Sequence, residues 1–261
     1  MELPQRIRNQ IEGKEYRIDE TGMSGSRILL FSDMVLKVQR KSRETEQELS
    51  MMEWLQDRLP VPGILAKEEA GEEQFLLMSR LEGEMMCEET YMENPVLQTK
   101  VLAEGLKRLW AVDLSGCPAD CRLDHKLMRA AEQVEQGLVD LDNVEPDTFG
   151  PDGFRGPKEL LDWLFGNRPE EEAVLSHGDY CLPNVFGKGD RLTGYLDLGR
   201  AGIADKWCDI ALCYRSLSQN YSGRFHGKAY SGYDDLLLFK ELGIAPDWEK
   251  IRYYVLLDEL F

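Results

Sequence analysis

One stretch of this sequence carries the side chains of phosphoryl chemistry. It reads Ser176-His177-Gly178-Asp179-Tyr180-Cys181-Leu182-Pro183-Asn184, and Asp197-Leu198-Gly199 follows it. Moving a phosphoryl group onto a hydroxyl asks for positioning more than for covalent help. It needs a carboxylate that orients or deprotonates the acceptor, oxygen ligands for Mg²⁺ bridging the phosphates, and a cation on the phosphates. The pattern H-x-D-x-x-x-x-N followed by D-x-G supplies the first two. His177, Asp179 and Asn184 fall at that spacing, and Asp197 stands where a metal carboxylate belongs. Hard oxygen donors of this kind suit Mg²⁺, where sulfur would not. The cation is expected on a strand, beside a helix glutamate. Met34-Val35-Leu36-Lys37 is a short apolar run ending in lysine, and the helix after it offers Glu44, Glu46 and Glu48. Glu48 is the expected partner, because it lies four residues before Met52 and seven before Leu55, on the inward side of that helix.

Each of these residues has an ordinary use when taken alone. Asp179 and Asn184 are turn residues by type, Lys37 a solvated strand end, Glu48 an exposed helix charge, His177 a core histidine and Asp197 a strand-terminating carboxylate. What points to chemistry is the set, in order, with each member on the element its role requires.

The elements that must position them can be read from hydrophobic periodicity. Strand-like runs occupy residues 16–19, 27–31, 34–38 and 75–78, and a helix pattern runs over 42–59, stopped by Pro60 and Pro62. Residues 79–83, Ser-Arg-Leu-Glu-Gly, read as a linker. Beyond it the chain is mostly helical. Leu123, Leu127, Ala130, Val134, Leu138 and Leu141 recur at steps of three or four, the pattern of a core-facing stripe. Further helix patterns cover 101–112, 157–165, 205–217, 233–242 and 247–260. A β-like insert lies among them at 173–176, 185–186 and 192–196, with the turn Gly187-Lys188-Gly189-Asp190 suited to a hairpin. The expected architecture is α+β in two lobes: a small β-rich lobe over residues 1–80, a hinge at 81–84, and a larger, mainly helical lobe over 85–261.

Composition narrows the function classes. The chain has 261 residues, with 31 Lys and Arg against 48 Asp and Glu, a net charge of −17. Such a charge repels nucleic acid and anionic lipid and gathers cations, so neither nucleic acid nor membrane is an expected partner. No run approaches the roughly 18 uncharged apolar residues of a membrane span, and the start has no apolar signal-peptide core. A cytoplasmic protein with six reduced cysteines is expected. Cys117 and Cys121 have no second pair to complete a zinc site.

Over nearly its whole length the sequence resembles the aminoglycoside phosphotransferases, enzymes with a eukaryotic-protein-kinase-like fold, and most of all the 3′-phosphotransferases. The resemblance rests on Thr21-Gly22-Met23-Ser24, Leu77-Met78-Ser79, the loop from His177 to Asn184, Asp197-Leu198-Gly199-Arg200, the run Ala204-Asp205-Lys206-Trp207-Cys208-Asp209-Ile210-Ala211, and the tail Leu256-Leu257-Asp258-Glu259-Leu260-Phe261. It implies a phosphate donor, ATP or GTP, and Mg²⁺. By resemblance, Asp179 orients or deprotonates the attacking hydroxyl, and Asn184 and Asp197 hold the metal. Lys37, steadied by Glu48, binds the α- and β-phosphates under Met23 and Ser24, and the backbone from Ser79 to Leu81 meets the nucleobase edge. Asp209 braces the catalytic loop. A monomer is expected.

The acceptor implied is an aminoglycoside, a polycation, and a site for it should be rich in carboxylates. Between Arg129 and Arg155 lie seven acidic residues, Glu132, Glu135, Asp140, Asp142, Glu145, Asp147 and Asp152, with no Lys or Arg. The resemblance sets Asp142, Asn143, Glu145, Arg200, Glu259 and the Phe261 terminus around the sugar rings. The sequence departs from relatives in three places: Gly22-Met23-Ser24-Gly25-Ser26 is shorter than G-x-G-x-x-G, Val35 offers dispersion where some relatives stack a ring on adenine, and Leu182-Pro183 lacks an extra carboxylate. Three other readings stand beside this one. They are a kinase for another small hydroxyl compound such as an amino-sugar, choline or a macrolide, a catalytically dead kinase-like binding protein, and hydrolysis by Asp179 and Asp197 in the glycosidase manner.

Overall fold

The computed structural model describes residues 3–19, 26–151, 153–225 and 227–261. Met23 and Ser24, the expected cover over the phosphates, lie outside the described residues, as does Asp152.

The first part of the chain folds as α1 (Gln5–Ile11), β1 (Arg17–Asp19), β2 (Arg27–Leu30), β3 (Met34–Arg40), α2 (Arg43–Leu55), β4 (Ile64–Ala70) and β5 (Glu73–Ser79). The five strands form one antiparallel sheet in the order β1-β2-β3-β5-β4. Side chains alternate across a strand, and β3 uses both faces. Leu36 and Val38 pack with Ile7, Ile11, Leu29, Phe31, Phe75 and Leu77 on one side. Lys37 and Gln39 project to the other, where α2 lies. The start of α2 is fixed by a capping box: Ser42 Oγ accepts from Thr45 N–H at 3.2 Å, and Thr45 Oγ1 accepts from Ser42 N–H at 2.9 Å. Caps of this kind stabilise a helix by about 1 kcal/mol. The helix buries Glu48, Leu49, Met51, Met52 and Leu55.

The rest of the chain continues through β6 (Glu84–Met85), α3 (Glu89–Met92), α4 (Pro95–Trp110), α5 (Leu123–Gln136), α6 (Pro157–Gly166), β7 (Ala173–Ser176), β8 (Val185–Lys188), β9 (Arg191–Tyr195), β10 (Gly202–Asp205), α7 (Lys206–Tyr221), α8 (Leu237–Leu242) and α9 (Trp248–Asp258). β6, β8 and β9 make a small sheet, and β7 pairs with β10. In the β8–β9 hairpin Lys188 faces Arg191, so the turn is Gly189-Asp190, with Gly189 at φ 61°. The loop 177–184 runs from β7 into β8, and β9 leads straight to Asp197. The largest core joins α2 and β5 to the helices and hairpin of this second part.

Several elements differ from their sequence reading. α2 ends at Leu55, short of 59. α5 stops at Gln136 because Gly137 turns left-handed at φ 66°, so Leu138 and Leu141 are exposed rather than part of the core stripe. The helix expected over 233–242 is confined to Leu237–Leu242, since the Asp234 side chain and carbonyl take the N–H groups of Leu236 and Leu237. α1, β4 and β10 were not expected at all. All six cysteines are free, and among the described residues no helix is long and apolar enough to cross a membrane.

Candidate active site

Lys37 is the centre of one cluster. Its Nζ donates to Glu48 Oε1 at 2.8 Å and Oε2 at 3.0 Å, and reaches Asp197 Oδ1 at 3.3 Å. Gln39, two residues on along the same strand face, donates to Glu48 Oε2 at 2.9 Å and to Gln74 Oε1 at 3.1 Å. Burial works against the Lys37 ammonium, but Glu48 and Asp197 outweigh it, and its pKa lies above the usual lysine value. Lys37 therefore stays a cation at neutral pH. Lys37 and Glu48 are buried, whereas Asp197 keeps its carboxylate exposed. Asp197 is also the one residue other than glycine, among those described, with a positive φ, 57°. That left-handed backbone is strained for a residue with a Cβ, and strain of this sort gathers at functional sites.

Asp179 is the centre of a second cluster. Asn184 Nδ2 donates to its carbonyl at 3.0 Å and to its Oδ2 at 2.9 Å, and Cys181 Sγ donates to its Oδ1 at 2.9 Å. Burial and the neighbouring carboxylate keep the Cys181 thiol protonated. The two clusters meet at one peptide, because Leu196 N–H, just before Asp197, donates to Asn184 C=O at 2.9 Å.

The loop bearing Asp179 hangs on Asp209, in the first turn of α7. Its buried carboxylate accepts from Ser176 Oγ at 2.9 Å, His177 N–H at 2.8 Å and Gly178 N–H at 2.9 Å. Burial raises its pKa in spite of these donors. Gly178 has φ 79°, and a Cβ there would come to 2.0 Å from Arg200 C=O, so only glycine lets the loop lie against the segment that follows Asp197. His177 is a core residue, its ring edge-on to Tyr180. Its Nδ1 accepts from Asp179 N–H at 3.3 Å, and its Nε2 is buried without a partner.

The donor set suits Mg²⁺. Asn184 uses its N–H groups on Asp179, which leaves its Oδ1 for a hard cation, and Asp197 has a second carboxylate oxygen beyond the one facing Lys37. Magnesium takes few protein oxygens when phosphates supply the rest. At the linker, Ser79 N–H donates to Gly63 C=O at 2.8 Å and Arg80 N–H to Asp33 C=O at 3.2 Å.

A third group gathers at the end of α9. Asp258 pairs with Arg200 at 3.3 Å and with Arg215, and Glu259 meets Arg215 at 3.4 Å and accepts from Glu145 N–H at 3.0 Å. Burial opposes the Asp258 carboxylate, yet Arg215 and Arg200 hold its pKa below the ordinary value. Burial raises Glu259 to about 7, against the opposing pull of Arg215. Glu145 is also held by Gln219 and by Arg224 at 2.7 Å. The Phe261 ring lies 5.8 Å from the Arg129 guanidinium and 5.6 Å from that of Arg200. Asp142 and Asn143 stay exposed, turned around Asp140, which accepts from Asp142 N–H at 2.9 Å and Asn143 Nδ2 at 2.6 Å. The acidic residues thus lack cations in sequence but not in space, since Arg224, after α7, reaches Glu145 of the acidic stretch and Arg215, in α7, reaches Asp258 and Glu259 of the tail. Sequence reasoning missed those two arginines, Cys181 and Gln39. Only Gln39 carried a signal, its two-residue step from Lys37.

Comparison with known proteins gives the family. The sequence pattern of the phosphotransferase enzyme family matches residues 5–254. An aminoglycoside 3′-phosphotransferase of Enterococcus faecalis is 40% identical over 222 residues, covering 84% of this chain and 79% of its own. One from Staphylococcus aureus is 35% identical over 273 residues, covering 100% and 99%. The crystal structure of an aminoglycoside 3′-phosphotransferase of type VIII superposes with a TM-score of 0.80 at 27% identity, covering 98% of this chain and 97% of the other. The two-lobed, kinase-like fold expected from sequence is the fold observed, and the chain belongs to the aminoglycoside phosphotransferase family, most like its 3′-phosphotransferases.

Proposed function

We propose that this enzyme transfers the γ-phosphate of ATP or GTP to a hydroxyl of an aminoglycoside, the 3′-hydroxyl in particular, and so confers resistance. The observation that carries the reading is the junction of the two clusters: Lys37 bound to both Glu48 and Asp197, one peptide away from the Asp179–Asn184 pair. In this reading Lys37 lies on the α- and β-phosphates, held by Glu48 and, through it, Gln39. Asn184 Oδ1 and the Asp197 carboxylate would hold Mg²⁺, which supplies charge neutralisation on the phosphates. Asp179, its two oxygens fixed by Cys181 and Asn184, orients the acceptor hydroxyl and takes its proton as the new P–O bond forms. The diphosphate leaves as the β–γ bridge breaks.

The base edge of the nucleotide meets the backbone of Ser79 and Leu81; the N–H groups of Ser79 and Arg80 are already taken by the Gly63 and Asp33 carbonyls. Met23 and Ser24 cover the phosphates. Residues 81–84 act as the hinge between a nucleotide-binding lobe, 1–80, and an acceptor-binding lobe, 85–261. Asp142, Asn143, Glu145, Arg200, Glu259 and Phe261 line the drug. Free cysteines and a need for nucleoside triphosphate both suit work in the cytoplasm, as a monomer.

The test is to incubate kanamycin with the enzyme, Mg²⁺ and each nucleotide, then locate any added phosphate by mass spectrometry and NMR. Phosphate on the 3′-oxygen is the expected result. Turnover of choline or a macrolide without turnover of kanamycin would overturn the acceptor. Drug binding with no phosphate transferred would overturn catalysis.

A further inference from the structure

The N-terminal part of α2 lies against the residues just after Asp197 and against α5. Glu44 Oε1 accepts from Arg200 Nε at 3.3 Å, and from Arg129 Nη2 of α5 at 3.3 Å. Gln47 Nε2 donates to Ala201 C=O at 2.8 Å. The Glu44 carbonyl lies so close to Gly199 that a Cβ there would stand 3.1 Å from it. One turn further along the same helix is Glu48. The spacing of four residues puts Glu44 and Glu48 on one face, about 6 Å apart along the axis.

The helix therefore meets the 197–201 segment at two points. At one, Glu44 and Gln47 hold residues 200 and 201 directly. At the other the link is indirect, because Lys37 is clasped between Glu48 and Asp197. Loss of Glu44 leaves Gln47 on Ala201 and the shared apolar core to keep the helix folded in place, but removes the ion pairs that fix its first turn over residues 199–200. The first turn of the helix is then less firmly seated beside Asp197, and Glu48, which moves with the helix, no longer holds the Lys37 ammonium of β3 in one place.

We propose that Glu44 is a positioning residue for the Lys37–Glu48 pair: it seats α2 against Arg200 and Arg129, so that Lys37 stands at the distance from Asp197 that a triphosphate requires. The inference rests on the nucleotide half of the reading above and needs no particular acceptor. Glu44 touches neither of the clusters around Lys37 and Asp179. Its ion pairs are partly exposed, and such pairs contribute little to folding stability. A variant can thus change the site while the fold stays intact.

The test compares wild type with Glu44→Ala, Glu44→Asp and Arg129→Ala. It uses calorimetric titration with Mg²⁺ and a non-hydrolysable ATP analogue, thermal melts, and steady-state kinetics wherever an acceptor is turned over. Glu44→Ala is expected to melt near wild type, to bind the analogue several-fold more weakly and to lose about 10- to 100-fold in kcat, the cost of a misplacement on the ångström scale. Glu44→Asp should recover part of both losses. Arg129→Ala should weaken analogue binding in the same direction, and the two losses should fall short of adding in the double variant. Glu44→Ala with analogue affinity and kcat both within twofold of wild type overturns the proposal and leaves the functional reading standing. So does a loss matched by an equal fall in the folded fraction. A wild-type chain that binds no nucleotide overturns both.

Discussion

The Asp179 carboxylate is held at both oxygens, by a weak thiol donor on one side and an amide on the other, so its lone pairs point in set directions before any acceptor arrives. In the role proposed for Asp179, removing the base costs roughly 10²–10⁴ in rate. Asp179→Ala is expected to show that loss in kcat with nucleotide affinity nearly unchanged, measured by steady-state kinetics and calorimetry. Glu259 gives a prediction about pH. Burial raises its carboxyl from 4.5 to about 7, so the folded chain keeps a proton that the unfolded chain releases earlier. The folded state gains from that proton fully below 4.5, and the gain is lost as pH rises through 7. Wild-type melting temperature should fall between these values more than that of Glu259→Gln, whose side chain has no proton to release. Parallel melts at intervals across that range measure the difference.

Among the elements, the catalytic loop depends on backbone geometry that spacing alone does not reveal. Gly178 and Gly137 both have left-handed backbones, at φ 79° and 66°, but only Gly178 is crowded. Gly137→Ala should lose about 1–2 kcal/mol, the ordinary cost of a Cβ in that conformation. Gly178→Ala meets the Arg200 carbonyl as well, and should lose distinctly more stability together with activity, as denaturant titration will show. The same contrast explains what could be read in advance. Lys37, Glu48, Asp179, Asn184 and Asp197 were legible because each sits at a fixed offset on a strand, a helix face or a single loop. Arg215 and Arg224 were not, since they reach Glu259 and Glu145 across more than forty residues of chain. β4 was missed because it is an edge strand in which Lys67, Glu68 and Glu69 follow one another, a charged run that reads as loop. α1 was missed because only Ile7 and Ile11 of its seven residues are buried.

Over the whole molecule, a net charge of −17 produces a field that draws polycations in and repels anions. Raising ionic strength from about 0.01 to 0.15 M shortens the screening length from about 30 to 8 Å. The KM for an aminoglycoside should therefore rise with salt while that for nucleotide stays level or falls, as initial rates across a salt series will show. Equal rises in both would point to a general loss of structure. The proposed acceptor-facing loop between Gly137 and Gly156 is tied to the body differently from the catalytic loop. Among the described residues Asp142 and Asn143 are bonded only to Asp140, and Glu145 anchors the segment through Gln219 near the end of α7, Arg224 after it and Glu259 just past α9. Asp179 instead follows His177 and Gly178, both buried and bonded to Asp209, and precedes the buried Tyr180. Heritable variation is thus tolerated unevenly: if residues 140–145 meet the drug as proposed, a lineage under pressure from a new antibiotic can rewrite them without disturbing the segment around Asp179.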